Sequence, residues 1–387
     1  MQSNLLRNII LTLYVIIALI AAWYMYGLDI WQEIQDKKWE RYILEETRNI
    51  HDVVMTEDNN YLAVGATNNS SQYIYKIDDR GQILFKKKLD YGVTKIVPAQ
   101  GENHLLFSND KFILINDQGK ILLDKTINIE PEVQVNESIG FNKIISVHNG
   151  YIIAGTSSDE TFIVKVDDQG DLLWFENFSI INNLEDILQI DDENLLVLGS
   201  DLGEDLNVVL KLDHEGKLLK KKIFKSFTYS HFQSIQPTGN NEFVIAGTHV
   251  NYDNKKSGII IKGDFQKTDW HRTIGAESDL DINLDELIKT KDDILLALGS
   301  KNEGIRGGSY NGYIIKLTPA GEILWKKSYG TQGSDMFTGF IESGNGFVVF
   351  GDVSDPVDYP GSVGCIFKID SEGNIADDFF IEGESLN

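Results

Sequence analysis

Seven polar side chains recur at one distance from a set of apolar runs in this chain. The runs read YLAVG (61–65), YIIAG (151–155), LLVLG (195–199), FVIAG (243–247), LLALG (295–299) and FVVFG (347–351), with HLLF (104–107) as a variant lacking the glycine. Thirteen residues before each closing glycine, or before Phe107, stand Asp52, Thr94, Asn142, Asp186, Ser234, Glu286 and Thr338. Drawn together, these side chains would line a polar, partly acidic mouth able to hold water, a cation or a polar ligand. The same groups could instead cap backbone N–H and C=O groups at strand starts.

Asp279, Asp281, Asn283 and Asp285 alternate along the chain with Glu286 beside them, and alternate oxygen ligands are what calcium takes. The glycine required after the third ligand is Leu284, however, and the glutamate expected at the twelfth position is Thr290. A solvated acidic loop accounts for this run, as for Asp352, Asp355 and Asp358. No cofactor is therefore expected, and calcium is the single metal candidate. The glycines of GIRGG (304–308) resemble a phosphate cradle only in composition, because a strand follows where a helix N-terminus is needed. None of the seven histidines belongs to an H-E-x-x-H, and no G-x-S-x-G occurs. A catalytic site would have to be assembled from distant segments.

Those segments belong to a repeat. YIYKIDDRGQILFK (73–86) returns as FILINDQGKILLDK (112–125), FIVKVDDQGDLLWFE (162–176) and VVLKLDHEGKLLKK (208–221). It returns again as IIIKGDFQKTDWHR (259–272), YIIKLTPAGEILWKK (313–327) and CIFKIDSEGNIADD (365–378). Each copy is an alternating strand, a tight turn and a second strand. The turn is closed by Gly81, Gly119, Gly170, Gly216, Gly321 or Gly373, glycine supplying positive φ, and the fifth copy lacks it. The glycine-closed apolar runs form a strand before each copy, and shorter strands precede those at 52–55, 186–190 and 286–289. Six steps from Gly81 to Gly373 give a period of about 49 residues. Four strands at that period predict an all-β chain, a β-propeller of about seven four-stranded antiparallel blades.

The phrase K-x-D-x-x-G-x-ILW-K, continued by YGTQGSD (329–335), resembles bacterial propeller repeats of the PQQ-like or SBBP type. The likeness covers nearly all of the chain after residue 43 and implies the fold. Such repeats occur in scaffolds, adhesins, sensors and enzymes, so it implies no function. Trp174 and Trp325 stand four residues after their turn glycines, Trp270 sits in the matching strand, and Phe85 and Leu123 fill the slot elsewhere. Quinoprotein dehydrogenases dock blades around pyrroloquinoline quinone with a similar tryptophan. They resemble eight-bladed propellers with adjacent cysteines, whereas this chain has seven units and Cys365 alone. These tryptophans are expected to dock blades. The recurring Lys-x-Asp (Lys76/Asp78, Lys165/Asp167, Lys211/Asp213, Lys262/Asp264, Lys368/Asp370) places both residues on one strand face as a structural ion pair.

Residues 1–8 form a short tail, and residues 9–28 are uncharged over about 30 Å of helix, the thickness of a bilayer core. Trp23, Tyr24, Tyr26 and Trp31 supply an interfacial aromatic belt. A retained single-pass signal anchor is expected there, because Ile20 spoils a cleavage site after Ala22. Residues 29–42 are a juxtamembrane linker and 43–387 the propeller, placed outside the membrane. Lys37, Lys38 and Arg41 after the span oppose that orientation mildly. The net charge of −24 comes without a basic stripe, so no nucleic-acid partner is expected. A single cysteine excludes an internal disulfide and a cysteine metal cluster.

The segments 248–257, 300–311 and 352–363 between second and third strands are long, as are 127–138, 274–283 and 329–335 between blades. All six fall on one propeller face and carry Tyr252, Arg306, Tyr310, Tyr329 and Tyr359, residue types favoured in binding hot spots. A protein or glycan ligand is expected on that face. The function expected is a binding or scaffold module, with a channel-mouth hydrolase or lyase and an envelope assembly factor as alternatives. WERYIL (39–44) resembles the outer-strand phrase LWKKSYG (324–330), so the N-terminal strand is expected to close the ring in the last blade.

Overall fold

The computed structural model describes residue 44 and residues 47–376, apart from 68, 109–110, 128–139, 157–159, 202, 205, 226, 228, 240, 277–279, 303–308, 332 and 356–358. Of Asn142, Asp355, Tyr359 and Pro360 it describes the backbone alone. Among these residues every regular element is a strand, and no helix is long and apolar enough to cross a membrane. The expected span at 9–28 lies outside the described residues.

The protein is a seven-bladed propeller. Six sheets have four antiparallel strands in sequential order and the last has three. The glycine-closed runs are the second strands, for example Tyr61–Thr67 and Asn194–Asp201, and their apolar residues are buried. They are apolar on both faces because each blade is sandwiched between two others. One cluster joins Leu62, Val64 and Ile74 of blade 1 to Ile96, Leu106 and Ile113 of blade 2. Outer strands such as Leu218–Phe224 are largely exposed and lysine-rich, as suits a sheet edge.

A common motif docks neighbouring blades. A Cβ on Gly216 would meet Trp174 at 2.9 Å, one on Gly321 would meet Trp270 at 2.8 Å, and one on Gly373 would meet Trp325 at 2.9 Å. Phe85 covers Gly119 in the same way, and at Gly170 the covering ring is Phe112. The turn glycine is thus needed twice, for its positive φ (+81° at Gly321) and for the bare surface on which the aromatic ring lies. Trp174 and Trp325 also donate Nε1–H to His214 O (2.9 Å) and Ser371 O (3.0 Å). A cation two residues further on often reaches the same turn, as Arg272 Nε does at Gly321 O (3.1 Å). Blade 5, whose turn lacks glycine, faces Lys220 instead of an aromatic residue. There Lys222 Nζ donates to Asp264 O and Lys267 O, both at 2.6 Å.

The Lys-x-Asp repeat is not an ion pair. Asp78 Oδ1 accepts the N–H groups of Arg80 (2.9 Å) and Gln82 (2.8 Å), capping its own turn, and Asp167, Asp213 and Asp370 do the same. The lysines look elsewhere. Lys76, buried, pairs with Asp58 (2.9 Å) and with Asp117 of the next blade.

Ring closure uses both ends of the propeller. Ile375 bridges Ile369, and Ala376 N donates to Lys368 O (2.9 Å), which sets residues 375–376 along the outer edge of blade 7. At the other end of the same third strand, Leu44 N donates to Gly364 O (2.9 Å). Gly364 corresponds to Gly312 of blade 6, which faces Tyr329 at the end of its outer strand. The buried Leu44 therefore takes the outer-strand terminus that the sequence assigned to the N-terminal segment. Residues 39–43 lie outside the described residues.

Candidate functional site

The inner strands surround the axis, and strand register defines the true ring. Asp52, Asp186, Ser234 and Glu286 each pair with the residue just before a second-strand glycine: Val64, Leu198, Ala246 and Leu298. The equivalent positions in blades 2, 3 and 7 are Lys95 (opposite Phe107), Lys143 (opposite Ala154) and Gly339 (opposite Phe350). Thr94, Asn142 and Thr338 therefore stand one residue ahead of the ring. In blades 3 and 7 the cause is a two-residue turn, His148–Asn149 and Gly344–Asn345, which shortens the hairpin by one residue. In blade 2 Ser108 occupies the glycine position, so a count from Phe107 starts one residue early. Exposed Thr94 and Thr338 lie at the mouth, and Thr338 Oγ1 donates to Ile50 O of blade 1 (2.7 Å).

Two ring carboxylates clamp neighbouring blades. Asp52 accepts Val53 N–H (3.1 Å) and Ile96 N–H of blade 2 (3.1 Å), with Lys95 Nζ at 3.7 Å. Asp186 accepts Ile187 N–H (2.9 Å), Ile235 N–H of blade 5 (3.0 Å) and the Ser234 hydroxyl (3.0 Å). Burial raises the Asp52 carboxyl, against the pull of Lys95, and Asp52 in turn holds the Lys95 ammonium above its usual range.

Glu286 breaks this pattern. Its Oε2 is sealed from water and accepts no hydrogen bond. It lies where a side chain at Gly339 would begin, 3.1 Å from that Cβ position, beside the Phe350 ring. Burial pushes its carboxyl up to about 8, with Lys95 opposing and Asp52 and Asp186 adding to the rise. Burial also raises Glu185 beside the ring and lowers His51. Lys95 and Lys143 were missed in the sequence for the register reason above.

The second–third strand segments of blades 5–7 are extended hairpins rather than irregular loops. Pairing runs three residues beyond the glycine position in blade 5 (to Val250↔Lys256), three in blade 6 (to Asn302↔Tyr310) and four in blade 7 (to Asp355↔Tyr359). In blades 1 to 3 it runs one residue at most. The result is a one-sided crest on the mouth face. Tyr252 at its tip is 94% exposed and meets the 54% exposed Tyr229 edge to face, centroids 6.1 Å apart. Tyr229 holds φ = +62°, an uncommon state for a bulky residue.

Tyr310 is partly buried, its hydroxyl 3.3 Å from Asp281 Oδ2, and Asp281 Oδ1 accepts Lys256 N–H (2.9 Å). Asn283 Nδ2 donates to Ser300 Oγ (3.1 Å). Asp281 and Asn283 thus serve the crest, Asp285 belongs to the inner strand, and Asp279 lies outside the described residues. Among the described residues, no group of three His, Cys, Asp or Glu is placed to hold a metal. Tyr329 does not stand exposed among the long segments: it is buried, packs on Phe367 and donates its hydroxyl to Gly373 O (2.7 Å), which makes it a blade-docking residue. Arg306 and the Tyr359 side chain lie outside the described residues.

No family model matches the chain, and no curated relative matches it in sequence. Solved structures share its fold. BBS1N, solved in complex with ARL6DN, superposes with a TM-score of 0.52 at 8% identity, over 84% of this chain and 92% of that one. The Pan2 WD40 domain of Neurospora crassa gives 0.50 at 8% identity, over 82% and 88%. A Bacteroides caccae protein of unknown function gives 0.44 at 14% identity, over 73% and 94%. At these identities the likeness to the first two is one of fold alone, and the seven sheets of this chain place it in the class of seven-bladed propellers.

Proposed function

We propose that this protein is a non-enzymatic binding module, anchored by residues 9–28 with its propeller outside the membrane, whose hairpin crest receives a protein or glycan partner. The observation that carries this reading is the run of three extended hairpins on contiguous blades, with Tyr252 in the turn of the blade 5 hairpin set against Tyr229 of the preceding connection. Strand length that runs past the glycine position and carries exposed aromatic rings at a tip is what a recognition surface needs. The BBS1N structure, solved with a protein partner, supports a protein ligand as an occupant. The repeat phrase supports a place among the PQQ-like or SBBP-type repeat proteins, and the uncharged segment supports the anchor.

The test is photo-crosslinking from position 252 in the full chain, expressed in its own membranes. One discrete adduct is expected, lost on Tyr229→Ala. Crosslinking that is as strong from position 84, on the outer edge, would refute the crest as the binding surface. Protease added to intact cells should degrade the propeller; digestion only after lysis would reverse the orientation.

A further inference from the structure

Three blades offer a carboxylate at the same ring position, and only two of them use it structurally. Asp52 and Asp186 each accept two or more N–H or O–H groups. Glu286, one methylene longer, leaves Oε2 buried and without a hydrogen-bond partner. The next blade has Gly339 at the ring position, so no side chain comes forward to meet it. Exposed Asp285 and Thr338 stand beside it on the mouth side. A buried polar atom without a partner is costly, and natural cores rarely keep one without a reason. The charged groups facing Glu286 are Lys95, Lys143, Asp52 and Asp186. With Glu185 and Asp285 alongside, negative groups outnumber positive ones.

We propose that the channel mouth is a site for an organic monocation, an ammonium or guanidinium group, with Glu286 as its ion-pair acceptor and Asp285 guiding its entry. The group belongs either to a small molecule or to a lysine or arginine side chain of a partner. Because burial holds Glu286 largely protonated at neutral pH, the cation displaces that proton when it binds. The site shares the mouth with the crest but does not rest on it.

Calorimetric titration of the full chain in mild detergent tests this, with methylguanidinium in one arm and an acetylated, amidated arginine tripeptide in the other. Each arm is run at pH 7 in two buffers of different ionisation enthalpy. Binding with release of close to one proton is expected. Glu286→Gln should weaken it at least tenfold and abolish the release, Asp285→Asn should weaken it about threefold, and Tyr252→Ala should leave it unchanged. Binding of methylguanidinium identifies a small-molecule site, and binding of the tripeptide alone identifies a partner side chain. Binding in neither arm, or binding unaltered by Glu286→Gln and Asp285→Asn, overturns the proposal.

Discussion

At the circumference, Trp174, Trp270 and Trp325 each cover the turn glycine of the following blade. At the axis, the equivalent positions of the seven blades hold Asp52, Lys95, Lys143, Asp186, Ser234, Glu286 and Gly339. One region repeats a single packing solution, and the other changes residue type at almost every step. The difference follows from what each region must do. Docking demands a similar shape at most junctions, the blade 5 turn being the exception, whereas the axis, once Asp52 and Asp186 have clamped their neighbours, is free to vary in charge.

Disturbing the uniform region should have the largest effect. Gly321→Val combines a strained positive φ with displacement of Trp270, and should lower stability by about 3 kcal/mol or more. Gly101→Ala is the control, because its φ is +64° with open space around it, and it should lose only about 1 kcal/mol. Chemical denaturation of the two variants separates packing from backbone strain; equal losses would mean that the aromatic ring contributes nothing.

Within the ring, Asp186→Ala strands the Ile235 N–H and should destabilise by about 2 kcal/mol. Glu286→Gln at the same position should show no loss at pH 7. If the two behave alike in urea melts, the division into clamp and open site fails.

The raised carboxyls predict a pH trend as well. Glu286 and Asp335 are pushed by burial to about 8 and about 7. In each case the folded state binds the proton more tightly than the unfolded chain. The stability this gives is therefore full below the ordinary carboxylate range and is lost as pH rises through 7 to 8. Between pH 5 and pH 8 the loss from the two buried groups together should be on the order of several kcal/mol. Melting curves of Glu286→Gln should be flatter over this range than those of the parent. The smallest effect is expected for Lys220→Trp, which supplies the missing aromatic residue where no turn glycine waits to receive it. It should change stability by less than about 0.5 kcal/mol, and a clear gain would show that the aromatic ring suffices alone.

The fold was legible because its signals are local and repeated. A turn glycine and an apolar run closed by glycine mark each blade within a few residues. The ring was legible only in part, because it depends on hairpin length. The two-residue turns at His148–Asn149 and Gly344–Asn345 and the serine at position 108 each moved the count by one, hiding Lys95, Lys143 and Gly339. Tyr329 and the Lys-x-Asp lysines were misplaced for another reason. Their partners, Gly373 for the tyrosine and Asp117 for Lys76, lie one blade away, about 40 residues along the chain. The extended hairpins read as loops because their alternation is weak beyond the glycine.

The seam at Leu44 and Gly364 has a kinetic consequence. Its two residues are about 320 positions apart, against about 49 for one blade. Closing the longer span from an unfolded chain would cost roughly 2 kcal/mol more in entropy. Each blade forms from nearest neighbours along the chain, so hairpins and docked blade pairs can assemble early, while the seam must wait until all seven are in place. The barrier to complete folding then lies at the last contact, and an unfolding chain opens first at the junction that was made last.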